Sequence, residues 1–170
     1  MKFGELPLQD TQGCILAHSV RHAEGVFKKG RKLAANDLKL LAASNVSMVF
    51  VAKLDANDVP EDEAARTLAG KIAGSGASAQ EPFTGRANVY AQEHGLVVVD
   101  GLRVNAINRV HESMTLATLP NYHVVAKGQM IATVKIIPFA VGKENLNKVL
   151  AEIGTKPVIR VQALAERRVG

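Results

Sequence analysis

The sequence predicts an α+β fold made of two small β-rich subdomains, each a β-clip-like or small barrel unit, with helices between them. Short apolar segments rich in β-branched residues alternate with turns that contain glycine or proline, which is typical of short strands. Four segments instead have apolar residues at helical spacing. The 170 residues are 47% hydrophobic and 22% charged. A chain of this length can bury about 70% of its unfolded surface without disulfides.

The first predicted subdomain covers residues 1–56 and has the order β-β-α-β. Asn45 follows its helix and suits a left-handed C-cap, because asparagine tolerates positive φ. The predicted elements are a strand over 13–20, a turn at 23–25, a strand over 26–33 that a turn at Gly30 interrupts, a short helix capped by Asn36 or Asp37, and a strand over 46–52.

Residues 57–79 are predicted to form a helix and a flexible linker. Pro60 and the acidic residues 61–63 favour a helix start, since proline tolerates the first turn and carboxylates complement the helix dipole. The glycines and serines of 74–78 are expected to end this helix and to give a flexible connection.

The second predicted subdomain covers residues 80–141, and residues 142–170 are predicted to form a helix, a strand and an exit segment. The segment 130–137 gives the clearest strand prediction, because it is dense in β-branched residues and ends at Pro138. The other predicted elements are a turn over 82–90, strands over 96–99, 114–119, 122–125 and 158–161, and helices over 104–112 and 143–153.

A weak internal repeat links the two subdomains. In each, a strand is followed by a reversal, a second strand and a Lys-Gly turn, at Gly30 and at Gly128. Glycine supplies the positive φ that such a turn requires, so the repeat predicts similar β units.

The cysteine content and the apolar pattern bear on the cellular compartment. Cys14 is the only cysteine, which excludes an internal disulfide and fits a reducing cytoplasm. The first residues lack the apolar run of a signal peptide, and no stretch approaches the ~20 apolar residues of a membrane span. We therefore expect a cytoplasmic protein with no membrane partner.

Sequence motifs for catalysis or metal binding are lacking. His18 and His22 are four residues apart, but a strand does not bring such side chains onto one ion, so we expect no metal site. Ser113 has no evident base partner, and His111 and Glu112 are helix neighbours whose side chains diverge. We therefore predict no catalytic residues.

The net charge of +5 raises the question of nucleic-acid binding. Basic residues cluster at 28–32 and again at Arg167 and Arg168. Single-strand binders combine such charge with exposed aromatic rings, whereas the seven aromatic residues here lie mostly inside apolar segments. The charge therefore favours contact with an anionic small molecule over nucleic acid.

One polar segment is a candidate for holding a phosphate group. Thr84, Gly85, Arg86 and Asn88 combine a hydroxyl, a glycine, a guanidinium and an amide. Backbone N–H groups and a bidentate arginine in such a loop can bind phosphate. A tight turn that carries a surface arginine is the alternative interpretation.

Further cations are candidates for the same purpose. Lys28, Lys29 and Arg31 form a dense basic segment, for which a solvated turn is the alternative. Lys135 stands within an apolar strand, so it either faces solvent by alternation or extends toward an anion.

Three parts of the chain resemble the N-terminal region of bacterial molybdopterin-binding proteins. They are GELP at 4–7 with GCILAHS at 13–19 and KKGRKL at 28–33, then FTGRAN at 83–88, and KGQMIATVKIIPF at 127–139. The resemblance covers nearly the whole chain, and the last segment is its most specific part. In those proteins this region precedes a molybdopterin-binding domain of the MoeA and MogA kind, and some members also carry a nucleotidyltransferase domain.

The resemblance implies an N-terminal module of molybdenum-cofactor biosynthesis that supports or flanks the cofactor site of a following C-terminal domain. The family context is molybdenum insertion or nucleotidyl transfer, but the module alone is expected not to be catalytic. A homodimer, or an interaction module that needs no ligand, is the alternative.

The resemblance also implies contacts with molybdopterin as cofactor. The contacting residues would be Thr84, Gly85, Arg86 and Asn88, with positive potential from Lys28, Lys29 and Arg31. In related molybdenumtransferases a Thr-Gly loop helps to line the active site of the dimer, and Thr84-Gly85 is its counterpart here.

Overall fold

The computed structural model describes residues 1–164, so Arg167 and Arg168 lie outside the described residues. The chain divides into two compact units, Met1–Asp58 and the residues from Val59 onward. The predicted α+β class is confirmed, since the described residues contain four helices and fourteen strands in several small open sheets.

The first unit is organised around a three-stranded antiparallel sheet. Its elements are β1 (Lys2–Pro7), β2 (Ile15–Leu16), β3 (Val20–His22), β4 (Gly25–Phe27), α1 (Ala35–Ala43) and β5 (Met48–Lys53). Strand β5 lies between β1 and β2, while β3 and β4 form a separate hairpin. Leu16, Leu41 and Val51 are completely buried at the centre of this unit. The continuous strand predicted over 13–20 is therefore wrong, because a bend separates β2 from β3, whereas the segment 26–33 is interrupted by a turn at Gly30 as predicted.

Helix α1 begins differently from the prediction. Its N-cap is Ala34, not Asn36 or Asp37. Asp37 lies in the first turn, where its carboxylate accepts hydrogen bonds from the Ala34 N–H at 3.0 Å and from Arg31 at 3.0 and 2.9 Å. The Asp37 side chain thus caps the N-terminus of α1 from a position in the first turn of the helix. Asn45 has φ 60°, as expected of the residue that ends it.

The second unit contains the larger sheet. Its elements are β6 (Asp58–Pro60), which opens it, α2 (Glu61–Ile72), β7 (Ala77–Ala79), β8 (Arg86–Ala91), β9 (Gly95–Val99), α3 (Gly101–Val110), β10 (Met114–Thr118), β11 (Val124–Val125), β12 (Met130–Ile136), β13 (Ala140–Gly142), α4 (Lys143–Ile153) and β14 (Ile159–Ala163). Four strands form an antiparallel sheet of order β10-β12-β8-β7, and three form a second sheet of order β11-β9-β14. Helix α2 packs on β8 and β12 through small residues such as Ala64, Ala65 and Ala69.

Strand β8 was expected to be part of a turn. It is instead a central strand, because Ala87, Val89 and Ala91 are buried beneath α2 while the polar residues between them face outward. Small alanines give this alternation little hydrophobic contrast in the sequence. The segment 74–78, predicted as a flexible connection, likewise runs into a paired strand, since β7 begins at Ala77 and pairs with β8.

The Lys-Gly turns have the same backbone form in both units. Gly30 has φ 86° and Gly128 has φ 82°. In the first unit the Leu16 N–H donates to the Arg31 carbonyl at 2.9 Å, and in the second the Leu119 N–H donates to the Ile131 carbonyl at 2.9 Å. Each turn therefore returns the chain beside an earlier strand, β2 in the first unit and the end of β10 in the second.

A side chain of α3 forms hydrogen bonds with the backbone of the terminal strand β10, on the edge away from β12. The Asn108 amide accepts from the Leu116 N–H at 2.8 Å and donates to the Leu116 carbonyl at 2.9 Å. These two bonds reproduce the exchange that a neighbouring strand would make.

Replacing Asn108 by Ala is expected to lower the free energy of unfolding by about 1–2 kcal/mol, because both Leu116 backbone groups lose their partner. Urea denaturation measures the change. Asn105→Ala on the exposed side of the same helix is the control and should have little effect. Equal values for the two variants would contradict the role assigned to Asn108.

Candidate functional site

The four predicted residues Thr84, Gly85, Arg86 and Asn88 lie at the start of β8 and in the turn before it. Arg86, Asn88 and Tyr90 alternate with the buried residues of this strand, so they face the side of the sheet away from α2. We call this side the outer face. On the neighbouring strands it continues through residues opposite these positions, namely Ser78, Thr115, Ala117, Thr133 and Lys135.

Two cations stand directly opposite each other on the outer face. Arg86 on β8 is the cross-strand partner of Lys135 on β12. Like charges in directly opposed positions are destabilising. Within residues 1–164, neither side chain forms a salt bridge. The pair therefore leaves positive charge available to an anion.

The present contacts of these two cations are with uncharged oxygens. Arg86 Nη1 lies 3.4 Å from Thr133 Oγ1, which is a long hydrogen bond. Lys135 Nζ donates to the Thr84 carbonyl at 2.5 Å. Lys135 thus joins the candidate site, and its alternation within an apolar strand is the sequence signal that points to it.

The turn before β8 is held in an unusual backbone conformation. Thr84 has φ 49° and Gly85 has φ 71°. The Gly85 N–H donates to Asp62 Oδ1 at 2.7 Å, and the Gly85 carbonyl accepts from the Ile136 N–H at 2.7 Å. The Gly85 N–H is therefore not free to bind a phosphate, because the Asp62 carboxylate accepts its hydrogen bond. The carboxylates of Asp62 and Glu61 thus lie beside this turn, and the positive charge of the outer face comes from Arg86 and Lys135.

Asn88 lies two residues beyond Arg86 on the outer face. Its Nδ2 donates to the Tyr90 hydroxyl at 3.3 Å. Its Oδ1 is buried and has no hydrogen-bond partner among the described residues. Nearly all buried polar groups in proteins are paired, so this oxygen is an exception within the site.

The basic segment with Lys28, Lys29 and Arg31 belongs to the first unit, whereas the outer face belongs to the second. Arg31 is not a source of free positive potential, because its guanidinium binds the Asp37 carboxylate in a bidentate pair and lies 4.3 Å from the centre of the Phe27 ring. The hydrogen bond from Arg31 lowers the pKa of Asp37 below its ordinary value. Lys28 and Lys29 are exposed in the turn, and the Lys29 N–H donates to Ser19 Oγ at 3.2 Å.

A serine and a histidine lie closer together than the sequence indicates. His111 Nδ1 is 2.8 Å from Ser113 Oγ, so the expectation that Ser113 has no base partner is wrong. The same Nδ1 also accepts from the Ser113 N–H at 3.2 Å, which makes the contact part of a local turn after α3. Cys14 is buried, and burial raises the pKa of its thiol. Among residues 1–164, no group of three or more metal-ligating side chains is gathered in one place.

The aromatic residues are more exposed than expected. Phe3, Phe50, Phe83 and Tyr122 are exposed, although the sequence places the aromatic residues mostly within apolar segments. Phe83 and Tyr122 stand in turns, and Phe3 and Phe50 lie on the solvent side of a sheet. The expected lack of exposed aromatic rings is therefore wrong, and it no longer argues against nucleic acid.

No protein-family model matches this chain, and neither a curated protein nor a solved structure is significantly similar to it. None of the helices over residues 1–164 is both long enough and apolar enough to cross a membrane.

Proposed function

We propose that this protein is the N-terminal, non-catalytic module of a cytoplasmic molybdopterin-binding protein of molybdenum-cofactor biosynthesis. In this role the outer face contacts the anionic phosphate of molybdopterin, which a following C-terminal domain also binds. The opposed pair of Arg86 and Lys135 is the observation that carries the proposal. Two cations that form no salt bridge within residues 1–164 provide a site that an anion would stabilise.

The chemistry of the outer face fits the oxygens of a phosphate ester. An arginine can bind two phosphate oxygens with parallel N–H bonds, and a lysine beside it adds a point charge. The Thr133 hydroxyl lies on the same face and can donate to a further oxygen, whereas the Thr115 hydroxyl donates to the Lys135 carbonyl at 3.4 Å. Because the arginine is exposed, salt is expected to weaken the interaction.

Replacing Arg86 by Ala, or Lys135 by Ala, is expected to weaken molybdopterin binding about tenfold or more, because each removes a charge-assisted hydrogen bond. Calorimetric titration of the chain with molybdopterin measures this. Arg109→Ala is the matched control, since Arg109 is an exposed arginine on α3 and the same charge is lost. If Arg86→Ala binds as tightly as Arg109→Ala, the proposal fails.

The first unit carries a surface that favours a second candidate, a non-catalytic interaction module. Phe3 and Phe50 are 57% and 43% exposed, and their ring centres lie 6.3 Å apart. The His18 ring meets Phe50 edge-on at 5.9 Å. Exposed aromatic groups of this kind are typical of protein interfaces. A sedimentation mass that rises with concentration, and that Phe50→Ser keeps at the monomer value, would support this function.

A further inference from the structure

The Asn88 side chain has a buried oxygen without a hydrogen-bond donor, which a ligand of the outer face could supply. Asn88 Oδ1 accepts no hydrogen bond from residues 1–164, while the nitrogen of the same amide is bonded to Tyr90. A buried acceptor without a donor costs stability in the free protein. A ligand that brings a donor to this oxygen would remove that cost.

Asn88 and the two cations lie on the same side of the sheet. Asn88 and Arg86 are two residues apart on the same side of β8, a separation of about 7 Å along a strand. Thr133, the cross-strand partner of Asn88, is the residue that Arg86 contacts at 3.4 Å. The Arg86 side chain therefore contacts the residue opposite Asn88, through a long and weak hydrogen bond.

We propose that the outer face binds a ligand that combines an anionic group, held by Arg86 and Lys135, with an N–H donor that reaches the unpartnered Asn88 Oδ1. The anion lies between Arg86 and Lys135, and the donor reaches Asn88 Oδ1 when Arg86 turns from Thr133 toward the anion. This inference rests on the proposed function and adds the requirement for a nitrogen-bearing ring. A phosphorylated pterin meets both requirements, whereas inorganic phosphate meets only the first.

The variant Asn88→Leu tests this requirement, because it removes the amide and keeps a similar volume. We expect molybdopterin affinity to fall about tenfold, since one hydrogen bond to the ligand is lost. The affinity for inorganic phosphate, measured by the same calorimetric titration, should not change. The melting temperature should be equal to or above that of the parent chain, because the unpaired oxygen is gone. Asn105→Leu makes the same replacement at an exposed asparagine of α3, outside the outer face, and should bind both ligands normally.

The possible outcomes separate this inference from the proposed function. If Asn88→Leu binds molybdopterin normally while Arg86→Ala does not, the donor requirement is wrong and the proposed function stands. If Arg86→Ala binds normally, the proposed function is wrong. If Asn88→Leu weakens both ligands equally, Asn88 acts on the anion and the inference is overturned. Asn88→Ala gives the same comparison if the leucine variant does not fold.

Discussion

Replacing Gly85 by Ala is expected to lower the free energy of unfolding by about 3 kcal/mol or more. The φ of 71° is unfavourable for alanine. A Cβ at this position would also lie 2.7 Å from the Ile136 carbonyl oxygen and 2.6 Å from Glu61 Oε2. The glutamate side chain can move, but Ile136 is fixed in β12, so the turn must shift. Thermal and urea unfolding measure the loss.

Gly128→Ala is the control that separates backbone strain from steric overlap. Gly128 has a similar φ of 82°, but a Cβ there would meet nothing within 4 Å. This variant should cost only about 1 kcal/mol, which is the penalty of the left-handed conformation. If the two variants are equally destabilised, the close approach of β12 to Gly85 contributes nothing.

Replacing Asp37 by Ala is expected to lower the free energy of unfolding by about 2–3 kcal/mol. Asp37 is only 5% exposed, and its carboxylate holds both Arg31 and the first turn of α1. Because the Arg31 side chain is 47% exposed, water can solvate it in the variant, and the loss stays below that of a fully buried pair. Glu144→Ala removes only an exposed ion pair with Lys148 and should change little.

The same carboxylate predicts a pH dependence. The pKa of Asp37 is lowered in the folded chain, so its contribution is fully present above the unfolded pKa of about 3.9 and is lost as pH falls through the folded value. The parent chain should therefore lose more stability than Asp37→Ala between pH 5 and strongly acidic conditions. The pKa of Asp58 is also lowered, through the N-terminal ammonium group, and this loss is common to both proteins. Parallel stability curves would contradict the assignment to Asp37.

The elements with strong local signals agree with the sequence analysis. β12 is dense in β-branched residues and ends before a proline, and α4 spans the predicted residues 143–153. The turn predicted at Gly128 likewise has the positive φ that glycine allows. In these segments the propensity, the periodicity and the turn residues all favour one structure.

The sequence analysis failed where tertiary contacts decide the structure. The pattern of β8 alternates alanine and valine with polar residues, and only its packing under α2 makes it a central strand. The opposition of Arg86 and Lys135 depends on the register of two strands whose residues are 49 positions apart in the chain. The use of the Gly85 N–H by Asp62 depends on a helix packed against the sheet. Periodicity within one segment contains none of this information.

The bonds between Asn108 and Leu116 also limit the growth of the sheet. A terminal strand normally offers its outer N–H and carbonyl groups to other chains, which is how ordered aggregates begin. Here the Asn108 side chain bonds both the N–H and the carbonyl of Leu116, at the middle of β10. The opposite terminal strand, β7, is only three residues long and offers few pairing positions. The sheet can therefore present an open polar face for binding while both of its ends resist the addition of strands from other molecules.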